Sequence, residues 1–177
     1  MKKLITPILF GCLISLSSYT WVTSVQWKIA DGNSIRFTSD DPSGVFKELK
    51  GDVVFDVNDL SNSRFDVRVV VNSINTGNGM QNNHAKSSKW LDAKNFPEIT
   101  FRSERIVKTA TGYEAQGQLS IHGVTKVFTM PFTFNETDQG GLFTGSFDVN
   151  RNDFEIGKPG GKASEILKVE VSVPVSR

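Results

Sequence analysis

The chain has 177 residues, 38% hydrophobic and 22% charged, with 20 Lys and Arg set against 19 Asp and Glu. This is the size of one globular domain, and a net charge of +1 supplies no basic field for a polynucleotide or an anionic membrane surface. Beyond the single cysteine, Cys12, there is no thiol for a disulfide or a cysteine-based metal site.

Lys2 and Lys3 precede a mostly apolar stretch from Leu4 to Leu16, and the small residues Ser15, Ser17, Ser18 and Thr20 end it. This is the pattern of a secretory signal peptide and is too short to span a membrane. Cleavage is expected between Ser17 and Ser24, with the leader taken as 1–20 and the exported domain as 21–177. Leu9-Phe10-Gly11-Cys12 loosely resembles a lipoprotein processing site, but Phe10 is bulky there and the apolar run before it is short. Cys12 is therefore read as a passive apolar residue in preference to a lipid anchor.

Past the leader, apolar residues recur at every second position, which is the periodicity of half-buried strands. A first strand is expected over Val25 to Ala30, and Asp31-Gly32-Asn33 turns the chain into Ile35 and Phe37. Ser43 to Leu49 is expected to form a helical turn entered by Pro42. Gly51, Val53, Phe55 and Val57 share the next face. The clearest strand runs from Arg64 to Ile74, with Phe65, Val67, Val69 and Val71 on one side. Asn82 to Asn95 lacks alternation, carries Lys, Ala, Trp and Leu, and is expected to hold a short helix. Ile99 and Phe101 follow Pro97 and lead to the Arg105 to Lys108 patch, after which Thr111-Gly112 turns. Three more faces come next: Tyr113 to Ile121, Phe128 to Phe134 and Phe143 to Val149. The run Leu167 to Val175 is last. About eight antiparallel strands with no long helix between them predict an all-β, lipocalin-like barrel with one or two short helices.

An eight-stranded barrel is either filled by its own side chains or wide enough for one slim ligand. Gly51, Gly117 and Gly145 share parity with apolar neighbours and together favour space inside. Bends needed for closure are the alternative reading of each. A catalytic constellation is not legible. His84 and His122 are far apart in the sequence and have no cysteine to pair with. His122 reads as a turn histidine pointing to solvent. The glycine-rich stretch Gly157 to Ser164 has the wrong spacing for a phosphate loop, with Ala163 where a magnesium-binding hydroxyl belongs, and reads as a flexible loop.

Several segments together are more specific: Ser73-Ile74-Asn75-Thr76-Gly77-Asn78, His84, Trp90-Leu91-Asp92 and Phe96-Pro97-Glu98-Ile99-Thr100-Phe101. They continue through Gly117-Gln118-Leu119-Ser120-Ile121-His122-Gly123-Val124-Thr125-Lys126 and Asn150-Arg151-Asn152-Asp153-Phe154-Glu155-Ile156-Gly157. In these, from about Trp27 to Val175, the chain resembles the YceI-like family of polyisoprenoid-binding, lipocalin-like bacterial proteins. Family members often carry Arg-Asp where this chain has Gln81-Asn82, and a bulky apolar residue where it has Ala85.

The resemblance implies a periplasmic barrel enclosing a long isoprenoid lipid, such as a quinone or a polyprenyl phosphate, with no other cofactor and no catalysis. Burial of each five-carbon unit yields roughly 3–4 kcal/mol at ~0.8 per carbon group. Association costs on the order of 4–15 kcal/mol, so a few units break even and a chain of about six or more binds tightly without a strong head-group contact. By parity the pocket candidates are Phe37, Phe55, Val67, Val69, Trp90, Phe101, Leu119, Phe132, Phe147 and Val169. His84 and Lys86 are the candidates for contact with a ligand head. The partner is then a long-chain isoprenoid and no nucleic acid, the mature chain carries no membrane span, and a homodimer is left open. Two other readings are an enzyme acting on such a lipid through His84 or His122, and a solidly packed barrel with a structural role.

Overall fold

The computed structural model describes residues 25–177. The expected leader, with Cys12, lies outside the described residues. Eleven strand segments form one antiparallel sheet: β1 (Gln26–Ile29), β2 (Ser34–Thr38), β3 (Gly44–Phe46), β4 (Leu49–Val54), β5 (Arg64–Val70), β6 (Ile74–Asn75), β7 (Glu98–Lys108), β8 (Tyr113–Ile121), β9 (Val124–Thr137), β10 (Gly140–Asn150) and β11 (Ile166–Ser176). The segments β1 and β2 both lie antiparallel to β11, one after the other, and so make a single interrupted stave. The pairs β3 with β4 and β5 with β6 do the same. The sheet closes because β1 pairs with both β4 and β11, matching Trp27 to Val53 and Ile29 to Val175. The result is an eight-stave closed barrel, as the alternation predicts.

Ser43 to Leu49 is not a helical turn. Gly44–Phe46 pairs with β2 on one side and β6 on the other, and Phe46 buries its ring against Phe37 at 5.6 Å. A buried aromatic beside Val45 favours the pleated conformation over a turn. The helix also differs from expectation. It spans Gly79–Ala85 (α1), because Asn78 caps it by accepting from the Met80 and Gln81 N–H groups at 2.9 and 3.1 Å. The rest of the 82–95 segment is a chain of turns. Val57 lies beyond the end of β4 and is exposed, not on the inner face with Phe55.

Gly51 and Gly117 leave no space in the barrel. A Cβ at Gly51 would come within 2.1 Å of the Asp66 carbonyl, and one at Gly117 within 2.1 Å of the Arg102 carbonyl. Both glycines let neighbouring backbones approach closely and so tighten the sheet. Beside Gly117 the β7–β8 register slips between Ser103 and Arg105, a bulge that turns Ile106 inward after Ser103. The buried Ser103 hydroxyl accepts from the Phe65 N–H at 2.8 Å and so satisfies a donor at this irregularity.

The two ends of the barrel are filled differently. At one end the Phe55 ring, 1% exposed, stands 5.1–5.5 Å from Tyr113, Phe132, Phe134 and Phe143, edge to face with each. Trp27 packs on Phe134 at 5.2 Å and donates its indole N–H to the Phe55 carbonyl at 2.8 Å. Such pairs add roughly 0.5–1.5 kcal/mol each beyond area burial, so this plug is rigid. Toward the other end the inner faces lose contact. On β11, Val173 and Val175 are buried while Leu167, Val169 and Val171 are only half-buried, and on β5 Phe65 is buried while Val67 and Val69 are not.

Candidate functional site

The inner surface left uncovered bounds a cavity of about 240 Å³. Its floor is the edge of the plug, where Phe65, Phe132, Phe143 and Val173 face it. Its walls are inward positions of β2, β4, β5, β7, β8, β9, β10 and β11. Across the far end lie Ala85, Trp90 and Leu91, from the end of α1 and the turns after it, with Ile156 and Leu167 beside them. A second group of buried residues, Phe37, Phe46 and Ile74, lines the rim there.

Nine of the ten pocket candidates lie on this wall: Phe37, Val67, Val69, Trp90, Phe101, Leu119, Phe132, Phe147 and Val169. The tenth, Phe55, is a correction. It points inward but belongs to the plug, beneath the floor. His84 and Lys86 are not on the wall. His84 is exposed, and its Nε2 accepts the Trp90 indole N–H at 2.6 Å, so the imidazole braces Trp90 from outside. That nitrogen is taken up by Trp90. His122 sits with Gly123 in the two-residue turn between β8 and β9, both at positive φ, edge-on to Phe96 at 5.1 Å.

Three polar side chains reach the cavity, and each is engaged elsewhere. Trp90 is bonded to His84. The Thr144 hydroxyl meets that of Thr133 at 2.8 Å. Arg151, 2% exposed, was missed from the sequence because a charged residue reads as surface. All five of its N–H groups are used: Nε on the Ser164 carbonyl, the Nη1 group on the Ile156 carbonyl and the Asn152 side chain, and the Nη2 group on the Lys158 and Ala163 carbonyls, at 2.6–3.2 Å. Its guanidinium also stands 5.7 Å from the centre of the Trp90 ring. Arg151 thus gathers the 151–165 loop over the end of the barrel.

The same loop is fastened at Glu165, whose carboxylate accepts the Gly160 N–H at 2.8 Å. That bond, then one from Asn152 and the charge of Arg151, hold its carboxyl below the ordinary value of 4.5. A polar ligand entering the cavity loses its hydration and finds no free partner, whereas a hydrocarbon loses nothing. The site is built to take apolar matter.

A family model for the YceI-like domain matches residues 23–175, nearly all of the described chain. The chain belongs to the YceI-like family. Among relatives, a UPF0312 protein of Yersinia enterocolitica is 31% identical over 136 residues, spanning 73% of this chain and 71% of its own. Among solved structures, BcnA of Burkholderia cenocepacia superposes with a TM-score of 0.69 at 25% identity, over 82% of this chain and 96% of that one. A polyisoprenoid binding domain from Saccharophagus degradans has a TM-score of 0.60 at 12% identity, over 87% of this chain and 99% of its own, a likeness of fold. The barrel fold is therefore shared with both of these solved structures. Among the described residues no helix is long and apolar enough to cross a membrane.

Proposed function

We propose that this chain binds a long isoprenoid lipid, of the quinone or polyprenyl phosphate type, and carries it in the periplasm after removal of the leader. The observation that carries this reading is a cavity whose wall is apolar and whose few polar groups are already bonded to the protein. The description of the Saccharophagus degradans neighbour as polyisoprenoid-binding and the membership of the YceI-like family support the same direction. Affinity then comes from the length of hydrocarbon enclosed, at ~0.8 kcal/mol per carbon group. The head stays outside the cavity, since no donor on the wall is free to hold it inside. A binding protein is favoured over an enzyme because His84 and His122 both stand outside the cavity wall.

Native mass spectrometry of the exported protein, followed by organic extraction, tests the reading. The expected result is a bound mass that fragments as an isoprenoid. Protein that emerges empty and takes up neither added quinone nor polyprenol overturns it.

A further inference from the structure

The barrel is laced unevenly, and the irregularity falls at one seam. β8 pairs with β9 along its whole length, from Tyr113 opposite Phe132 to Ile121 opposite Val124. β10 pairs with β11 in the same way, from Gly141 opposite Val175 to Asn150 opposite Ile166. Between them, the β9–β10 ladder begins at Thr137 opposite Gly140 and stops at Thr133 opposite Thr144. Val124–Phe132 and Gly145–Asn150 remain in strand conformation, held by their outer partners, yet share no ladder with each other. This is not fraying, since both strands are fully paired on their other sides.

Local chemistry explains where the lacing ends. Pro131 lies two residues past the last β9–β10 pair, at Thr133, and has no N–H to donate across to β10. Its carbonyl lies against Gly145, where a Cβ would come within 2.7 Å. Past this point Phe128 and Phe147 meet edge to face at 5.2 Å across the seam, both on the cavity wall. Outside, Phe132, Thr144 and Gly145 also border a surface hollow, so here the wall is one residue thick. The outward Val127, 78% exposed, makes the lip of the unlaced stretch apolar.

We propose that this seam is a lateral portal through which the lipid chain enters and leaves, with Phe128 and Phe147 as its movable leaves. The inference rests on the lipid-binding reading above and says how the cavity is reached. The axial end is covered by Trp90, Leu91 and the loop that Arg151 holds with five bonds, all of which must come apart for a chain to thread end-on. Opening the seam breaks no ladder bond and needs only rotation of two rings.

The test laces the seam. In the full chain, Thr129→Cys with Asp148→Cys places thiols at positions that would face each other if the ladder continued, and a short bis-maleimide joins them. Asn135→Cys with Leu142→Cys does the same in the part already paired, at residues that do not line the cavity. The probe is a long-chain polyprenol with a terminal fluorophore. Lacing at Thr129 and Asp148 is expected to slow both uptake and release about tenfold at unchanged equilibrium affinity, while the control keeps wild-type rates. Equal rates in the two laced proteins overturn the portal and leave lipid binding standing. A wild-type protein that takes up no probe overturns the lipid-binding reading, and the portal falls with it. Phe128→Ala gives an uncrosslinked check: release is expected to be severalfold faster than in Phe37→Ala, which alters the axial rim, and equal release in the two again removes the portal.

Discussion

The plugged end and the hollow end of this barrel are built from the same strands with the same inward alternation, yet they do opposite things. At the plug, Phe55 collects four aromatic rings, edge to face with each. A few residues further along β5, valines replace the ring: Val67 and Val69 follow Phe65. Smaller side chains cannot meet across the axis, and a void results. The difference teaches that side-chain volume, with parity held constant, divides an eight-stave barrel into a stabilising part and a binding part.

That division predicts separable effects. The largest is expected for Phe55→Ala, which empties the centre of the plug and should cost about 3–5 kcal/mol in urea unfolding, with lipid affinity little changed. If affinity falls as far as stability, the two halves are not independent. Arg151→Met should come next, at about 2–4 kcal/mol, because it strips the donors from four carbonyls over the hollow end. Arg151→Lys should recover only part of this, since three donors cannot replace a planar five-donor fork. Trp90→Phe removes the bond to His84 and should cost about 1 kcal/mol in the same assay. Proteolysis in this variant should begin in the 85–97 segment before it reaches the plug.

The smallest effect is one of pH. Glu165 has its carboxyl held below the ordinary 4.5, so its contribution is fully present above that value and is lost as the pH falls through the lowered one. Acidification below about 4.5 should therefore loosen the 151–165 loop before the plug, and Glu165→Gln should flatten this part of the profile. Amide exchange at Gly160 measured against pH reads it directly.

Much of this was legible in the sequence. Period-two alternation is a backbone property, so the eight staves and eight of the cavity wall residues follow from parity, while Trp90 lies on no strand. Parity cannot say how far along the axis a residue sits, which is why Phe55 looked like a pocket residue when it is the plug. Gly51 and Gly117 misled for a related reason. An absent side chain reads as space, whereas here a neighbouring strand's backbone occupies it. Gly44–Phe46 was misread because a three-residue strand is too short to show alternation, and it is defined by partners distant in sequence. Arg151 was invisible because nothing local distinguishes a guanidinium that five carbonyl and amide oxygens will surround. The seam between β9 and β10 left one sign, Pro131 within an otherwise regular strand, which gains meaning only once Gly145 is seen opposite.

The central claim is that the void, and not the barrel as such, takes the lipid. Val169 stands half-buried on the cavity wall between Phe37 of β2 and Phe147 of β10, so Val169→Trp should fill the space from within. The decisive measurement is the dissociation constant of a long-chain polyprenol for this variant beside its unfolding midpoint. The account predicts affinity lowered about a hundredfold, equivalent to roughly 2.7 kcal/mol, in a protein that unfolds as the wild type does. Unchanged affinity in a folded, filled barrel would contradict it.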